Sequence, residues 1–138
     1  DLFHGLIPQP GDLIDDILLA EDLQPDFVSA SPFIPNEGTP LETINEGDVD
    51  ATLNTMAIYR LLFPGALVPT VSALEKLRGG GQLAGLQAGA NVITINFTPK
   101  DFREKYAIYS AKGRFIVSGG HATQIIEEAG LTIRPPRR

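Results

Sequence analysis

The chain contains no cysteine, a single methionine and two histidines among 138 residues. Without cysteine its own residues can form no disulfide, no thiolate zinc site, no cysteine nucleophile and no cysteine-held iron–sulfur cluster. His4 and His121 lie far apart, and no acid stands at ligand spacing from His4. His121 has Glu127 and Glu128 downstream, yet reads as a surface or helix-terminal residue, so no metal site is expected. Long apolar runs are missing too: none reaches the roughly 18 residues of a membrane span. The opening Asp1-Leu2-Phe3-His4 has neither the basic start nor the apolar stretch of a signal peptide, so the expected location is the cytoplasm. A start without Met reads as a piece of something longer. Bases are scarce in the first half: residues 1–69 carry twelve acids and one base, Arg60, while 70–138 carry five acids and ten bases. The net charge of −6 argues against nucleic acid as a partner. Solvated surface charge is the plain reading, with attraction between the halves as the alternative. No Gly-x-Ser-x-Gly elbow and no phosphate loop occur.

What is present suits one folded domain: 43% of the residues are apolar and 20% charged, at a length that buries a real core. A pattern of elements recurs. A short apolar run ends in a Pro/Gly turn and an amphipathic stretch follows. The runs are Gly5–Ile7, Phe27–Ser31, Ala66–Val71 and Asn91–Ile95. After the first, Asp12 stands as an N-cap, and Leu13, Ile14, Ile17, Leu18 and Ala20 share a helical face. After the second, Pro32 and Pro35 open a long loop, and Asp48 caps a helix that Pro64-Gly65 ends. After the third come two helical pieces around Gly79-Gly80-Gly81, with Gly89 as a stop. After the fourth, Pro99 opens a helix predicted through Tyr106. Arg114–Val117 is predicted extended, and a helix over His121–Ala129 starts at Ser118 or Gly119 and stops at Gly130.

Alternating strands and helices predict an α/β fold of parallel βα units. Four units make half of an eight-unit (β/α) barrel or a small open sheet. The predicted organisation is a half-barrel over 1–112 and an extension, with short strand, helix and basic tail, over 113–138. A half-barrel leaves two unpaired strand edges. Such a chain either pairs with a second copy or covers an edge with segment 114–129.

Chemistry in either arrangement belongs at the carboxyl ends of strands. The residues there are small and polar: Ser31 and Pro32, then Thr70 and Ser72, then Asn96 and Thr98. Hydroxyls and an amide suit hydrogen bonds to a carboxylate or an amine and hold a small substrate still. Each could equally bond only to backbone. No paired acid and base stand among them, and no lysine is there for Schiff-base chemistry. Gly79-Gly80-Gly81 reads as a turn, with anion binding at the following helix as the sharper alternative.

Several strings, in order along nearly the whole chain, resemble one family. Ser31-Pro32-Phe33-Ile34-Pro35-Asn36-Glu37-Gly38-Thr39-Pro40-Leu41 resembles the sixth strand and loop of biotin-synthase-like radical SAM enzymes. Arg60-Leu61-Leu62-Phe63-Pro64 resembles their R-x-x-x-P helix end, and Pro69-Thr70-Val71-Ser72-Ala73-Leu74 their seventh strand. Gly89-Ala90-Asn91-Val92 with Asn96-Phe97-Thr98-Pro99 resembles the eighth. Pro10-Gly11 resembles the turn after the fifth, without its first glycine and threonine. The matched region is the C-terminal biotin and thiamin synthesis associated domain.

The resemblance implies a parent (β/α)8 barrel whose first half binds a [4Fe-4S] cluster and S-adenosylmethionine through a three-cysteine motif. Reductive cleavage would give a 5′-deoxyadenosyl radical that abstracts hydrogen from a bound substrate. This chain would supply the substrate-side wall and part of the S-adenosylmethionine pocket, through Ser31, Pro32, Thr70, Ser72, Asn96 and Thr98, and bind neither cofactor alone. The implied partners are the N-terminal half-barrel or a second copy, with a small-molecule substrate. Ser31 and Thr70 stand where biotin synthase has a SAM-contacting asparagine and a cluster-ligating arginine. The strings therefore look closer to the [FeFe]-hydrogenase maturase and 3-methylornithine synthase branch, whose substrates are amino-acid-like. The alternative function is a stand-alone, non-catalytic binding or dimerisation domain on the same fold.

Overall fold

The computed structural model describes residues 10–103 and 115–134. The predicted strand at Gly5–Ile7, His4, and the stretch from 104 to 114 lie outside the described residues. Helix α1 spans Pro10–Leu23 and α2 Val49–Leu62. Strand β1 is Pro69–Thr70, followed by α3 at Ser72–Leu77 and α4 at Gly81–Gln87. Strand β2 is Val92–Ile93, and the last helices are α5 at Lys100–Arg103 and α6 at Gly119–Glu128. β1 and β2 pair in parallel, Pro69 opposite Val92 and Thr70 opposite Ile93. A parallel bridge from Phe27 to Leu67 adds a third line on the other side of β1. Helices joined to short parallel strands make this an α/β fold.

Caps sit where local chemistry demands them. The Asp48 carboxylate accepts from the N–H groups of Asp50 and Ala51 at 2.8 and 3.2 Å and starts α2. The Ser118 hydroxyl accepts from His121 N–H at 3.2 Å and starts α6, which Gly130 stops at φ +71°. Helix α1 differs from expectation. It begins at Pro10, so Asp12 lies in its first turn rather than at the cap. Proline fits there because a first-turn N–H has no intrahelical partner to lose. Its predicted apolar face also divides: Ile17 and Ala20 pack on the core, while Ile14 and Leu18 remain 57% and 53% exposed.

The expected strand at Phe27–Ser31 shrinks to one bridge, and Pro69 is the physical reason. Leu67 N–H donates to Asp26 C=O at 2.9 Å, and Val28 N–H donates to Leu67 C=O at 3.0 Å. The next rung of a parallel ladder would be donated by residue 69, which is proline and has no N–H. The chain then leaves through Pro32 and Pro35.

The core gathers Met56, Tyr59, Phe63, Val68, Leu74, Leu86 and Ile125 between the helices and one face of the sheet. Neighbouring residues alternate across that sheet. Val28 and Val68 face the core, while Phe27 and Leu67 are 54% and 47% exposed. Thr52 and Thr55 are buried on α2 because their hydroxyls donate to the carbonyls of Asp48 and Ala51, one turn back, at 2.8 and 2.9 Å.

Arg60 ties the connections together. Its Nε–H donates to Gly89 C=O at 2.7 Å. Nη1 donates to the carbonyls of Phe63, Pro64 and Ala66 at 3.2, 2.9 and 3.1 Å. Gly89 has φ +109°, and a Cβ there would meet Arg60 Cβ at 2.7 Å, so only glycine fits. Asn91 completes the join: its Oδ1 accepts from Val68 N–H at 2.8 Å and its Nδ2 donates to Ala66 C=O at 3.2 Å.

Replacing Arg60 by Met removes four hydrogen bonds, three of them part-buried, while the Phe63 and Ala66 carbonyls keep their bonds from Ala66 N–H and Asn91 Nδ2. Arg60→Met is expected to cost about 2–4 kcal/mol, read as a lower urea midpoint at unchanged m-value. Burial, and then the negative charge of Asp16, raise the Tyr59 phenol above its ordinary 10.0. The folded state thus holds a proton that the unfolded chain gives up more readily. Its stabilisation is complete below about pH 10 and is lost as pH rises through the raised value. Denaturation curves at pH 9 to 11 are expected to show that loss, and Tyr59→Phe to reduce it.

Candidate functional site

A cleft of about 620 Å³ opens at the carboxyl ends of β1 and β2. This lies within the range of small-molecule pockets. Val71 and Ser72 form its first wall, where β1 passes into α3. Thr94, Ile95, Asn96, Phe97 and Thr98 form the second, in the chain that leaves β2. Phe115 and Val117, from the segment before α6, form the third. That segment lies beside the second wall, where Asn96 N–H donates to Val117 C=O at 3.0 Å.

Ser72, Asn96 and Thr98 come together here from separate parts of the chain. Asn96 Oδ1 accepts from Thr98 N–H at 2.8 Å, a tight local turn that fixes the amide. With Oδ1 turned to that N–H, Asn96 has its Nδ2 group to donate to a ligand. Phe97 is 86% exposed beside these polar groups. The lining thus pairs donors with aromatic surface, a combination suited to a molecule with a polar head and an apolar body.

The structure places the other expected site residues elsewhere. Thr70 is 1% exposed, and its hydroxyl donates to Gln82 C=O of α4 at 2.9 Å. Alternation along β1 turns it toward the helices and its successor Val71 toward the cleft. A Cβ on Gly85 would meet Thr70 Oγ1 and Cβ, so α4 lies directly on this threonine. Ser31 is exposed and Pro32 buried, and neither lines the cleft. Their strand ends early, as Pro69 requires. Val71, Thr94, Phe97, Phe115 and Val117 were not singled out from sequence. Phe97, between Asn96 and Thr98, was the one with a visible signal.

The glycine cluster does not hold a free anion. Glu75 Oε1 accepts from Gly80 N–H at 2.9 Å and Oε2 from Gln82 N–H at 3.0 Å, so an internal carboxylate fills that position. Among the described residues, no group of His, Asp and Glu could hold a metal ion. The chain has no cysteine to give a cluster a thiolate, so its own residues do not fit one. No helix among the described residues is long and apolar enough to cross a membrane.

A parallel α/β arrangement with a polar cleft at its strand carboxyl ends puts candidate ligand-binding groups where such folds ordinarily carry them. The family model of the Biotin and Thiamin Synthesis associated domain matches residues 29–128, and the chain belongs to that family. It is similar to the [FeFe] hydrogenase maturase subunit HydE of Thermotoga maritima, 39% identical over 101 residues, covering 73% of this chain and 29% of the relative. It is also similar to the 3-methylornithine synthase of Methanosarcina acetivorans, 42% identical over 77 residues, covering 56% of this chain and 21% of the relative. A biotin synthase of Picosynechococcus is 32% identical over 84 residues, covering 61% of this chain and 23% of the relative. The chain thus spans between 21% and 29% of the length of these curated relatives.

Removing the Glu75 carboxylate leaves the start of α4 without two acceptors. Glu75→Ala is expected to cost about 1–2 kcal/mol in urea denaturation, with Glu75→Gln losing less.

Proposed function

We propose that this chain is the C-terminal, substrate-side part of a radical SAM enzyme of the biotin-synthase-like kind. In this reading residues 1–112 form half of a (β/α)8 barrel and residues 113–138 an extension that closes over the cleft. The observation that carries it is a ligand-sized cleft at the carboxyl ends of a sheet whose helices, among the described residues, cover one face. Parallel sheets are ordinarily buried on both faces. Phe27 and Leu67, half-exposed on the uncovered side, call for a second layer of protein. The N-terminal half-barrel of the same enzyme is the proposed occupant, since the chain spans so small a part of its relatives.

That half would carry the cysteines that hold the cluster and, with it, S-adenosylmethionine. Such a group, when bound there, would supply the chemistry for hydrogen abstraction from the substrate. The residues of this chain do something simpler. Asn96 Nδ2 donates to the carboxylate of a small amino-acid-like molecule, the Ser72 and Thr98 hydroxyls hold its carboxylate or amine, and Phe97 and Phe115 pack on its carbon chain. Fixing the molecule matters because hydrogen abstraction requires one C–H bond at contact distance. Ser31, exposed and outside the present cleft, would join this set only in the closed barrel. Two of the named relatives, HydE and 3-methylornithine synthase, support this branch more closely than biotin synthase does by identity.

The test is to produce the chain with the polypeptide encoded ahead of it, reconstitute iron and sulfide without oxygen, and measure 5′-deoxyadenosine from S-adenosylmethionine. Cleavage by the joined protein and none by the 138-residue chain is the expected result. An upstream segment without a CxxxCxxC motif overturns the reading. In the joined protein, Ser72→Ala and Asn96→Ala are each expected to raise KM for the substrate about tenfold, with kcat changed less.

A further inference from the structure

We propose that His121 is a positioning residue for the cleft, clamping the third wall to the end of β1 through the buried side chain of Gln82. The clamp stands on its own geometry; its importance for ligand binding rests on reading the cleft as a substrate pocket.

Gln82 is 1% exposed in α4. Its Nε2 donates to Thr70 C=O at 3.2 Å. A backbone carbonyl can only accept, so the amide must turn its NH2 group to Thr70 and its oxygen the other way. That oxygen lies 3.0 Å from His121 Nε2. An amide oxygen also only accepts, so His121 Nε2 must carry a hydrogen. The Thr70 hydroxyl returns a bond to Gln82 C=O at 2.9 Å. Residues 39 apart in sequence are thereby joined inside the protein.

Each end of this chain of bonds meets a wall of the cleft. Thr70 is followed directly by Val71 and Ser72, the first wall. The His121 ring meets the edge of Phe115 at 4.8 Å between centroids and 72° between planes, and Phe115 belongs to the third wall. Aromatic pairs favour this edge-to-face geometry. Removing the histidine leaves Gln82 Oε1 buried without a donor. The cheapest remedy is to let the third wall lift and admit water, since Ala122 and Ile125 still anchor α6. The wall gives way before the sheet does.

Amide hydrogen exchange on the chain tests the clamp directly. Asn96 N–H, bonded to Val117 C=O, reports the third wall; Asn91 N–H, bonded to Val68 C=O, reports the sheet. In His121→Leu, Asn96 is expected to exchange about tenfold faster while Asn91 changes by less than about threefold. His121→Gln, whose amide can still donate to Gln82, is expected to restore Asn96. Nitrogen-15 shifts of the ring are expected to show a protonated Nε2. Unchanged Asn96 exchange, an equal rise at both amides, no rescue by Gln, or a bare Nε2 each overturns the clamp. In the enzyme joined to its upstream segment, His121→Leu is expected to raise substrate KM severalfold more than it lowers kcat. The expected exchange pattern with unaltered KM overturns the positioning role and leaves the clamp as architecture. A joined wild-type protein that cleaves no S-adenosylmethionine instead overturns the proposed function, whatever the exchange rates show.

Discussion

The Arg60 guanidinium is the interaction on which the rest of the structure depends. It sits where α2 turns back toward β1 and where the chain leaves α4 for β2. By donating to carbonyls at both turns, it fixes how far apart the two strands begin. Asn91 then extends that spacing one step, standing in for ladder bonds before β2 starts. A charged donor held by carbonyls costs desolvation that only several good bonds can offset. Here the acceptors lie in turns, and two of them, the carbonyls of Phe63 and Ala66, are shared with Ala66 N–H and Asn91 Nδ2. The guanidinium therefore supplies what the backbone lacks at its turns, and the short strands need no long ladder to stay in register.

Local chemistry was legible in the sequence, and orientation was not. Asp48, Ser118, Gly89 and Gly130 announced helix ends because a cap or a positive φ is decided within a few residues. The parallel α/β class followed from the order of apolar runs. Thr70 and Val71 illustrate the limit: both stand at a strand end, and a shift of one residue exchanges helix-facing and cleft-facing roles. Leu61 reads as apolar on a helical face but is 79% exposed, while Thr52 and Thr55 are buried because their hydroxyls bond within their own helix. The partnership of Gln82 with His121 has no sequence period, so only the fold reveals it.

The cleft depends on segments with different kinds of support. Its first two walls continue from paired strands. Its third comes from a stretch with no regular structure, held among the described residues by a backbone bond to Asn96, a ring contact with His121 and a helix packed on α4. The lining of the third wall can change without disturbing strand pairing, because loops on a rigid frame tolerate substitution.

Pro69 carries a consequence beyond the shortened first strand. By withholding one N–H it leaves the sheet in two panels, the segment around Phe27 on one side and β1 with β2 on the other. The panels meet through Leu67 alone along the backbone. Sliding or tilting the outer panel beyond that point breaks no further rung. The loop carrying Ser31 is thus hinged to the sheet rather than welded to it: past Val28 its backbone closes on itself, through the bond from Gly47 N–H to Phe33 C=O at 2.8 Å.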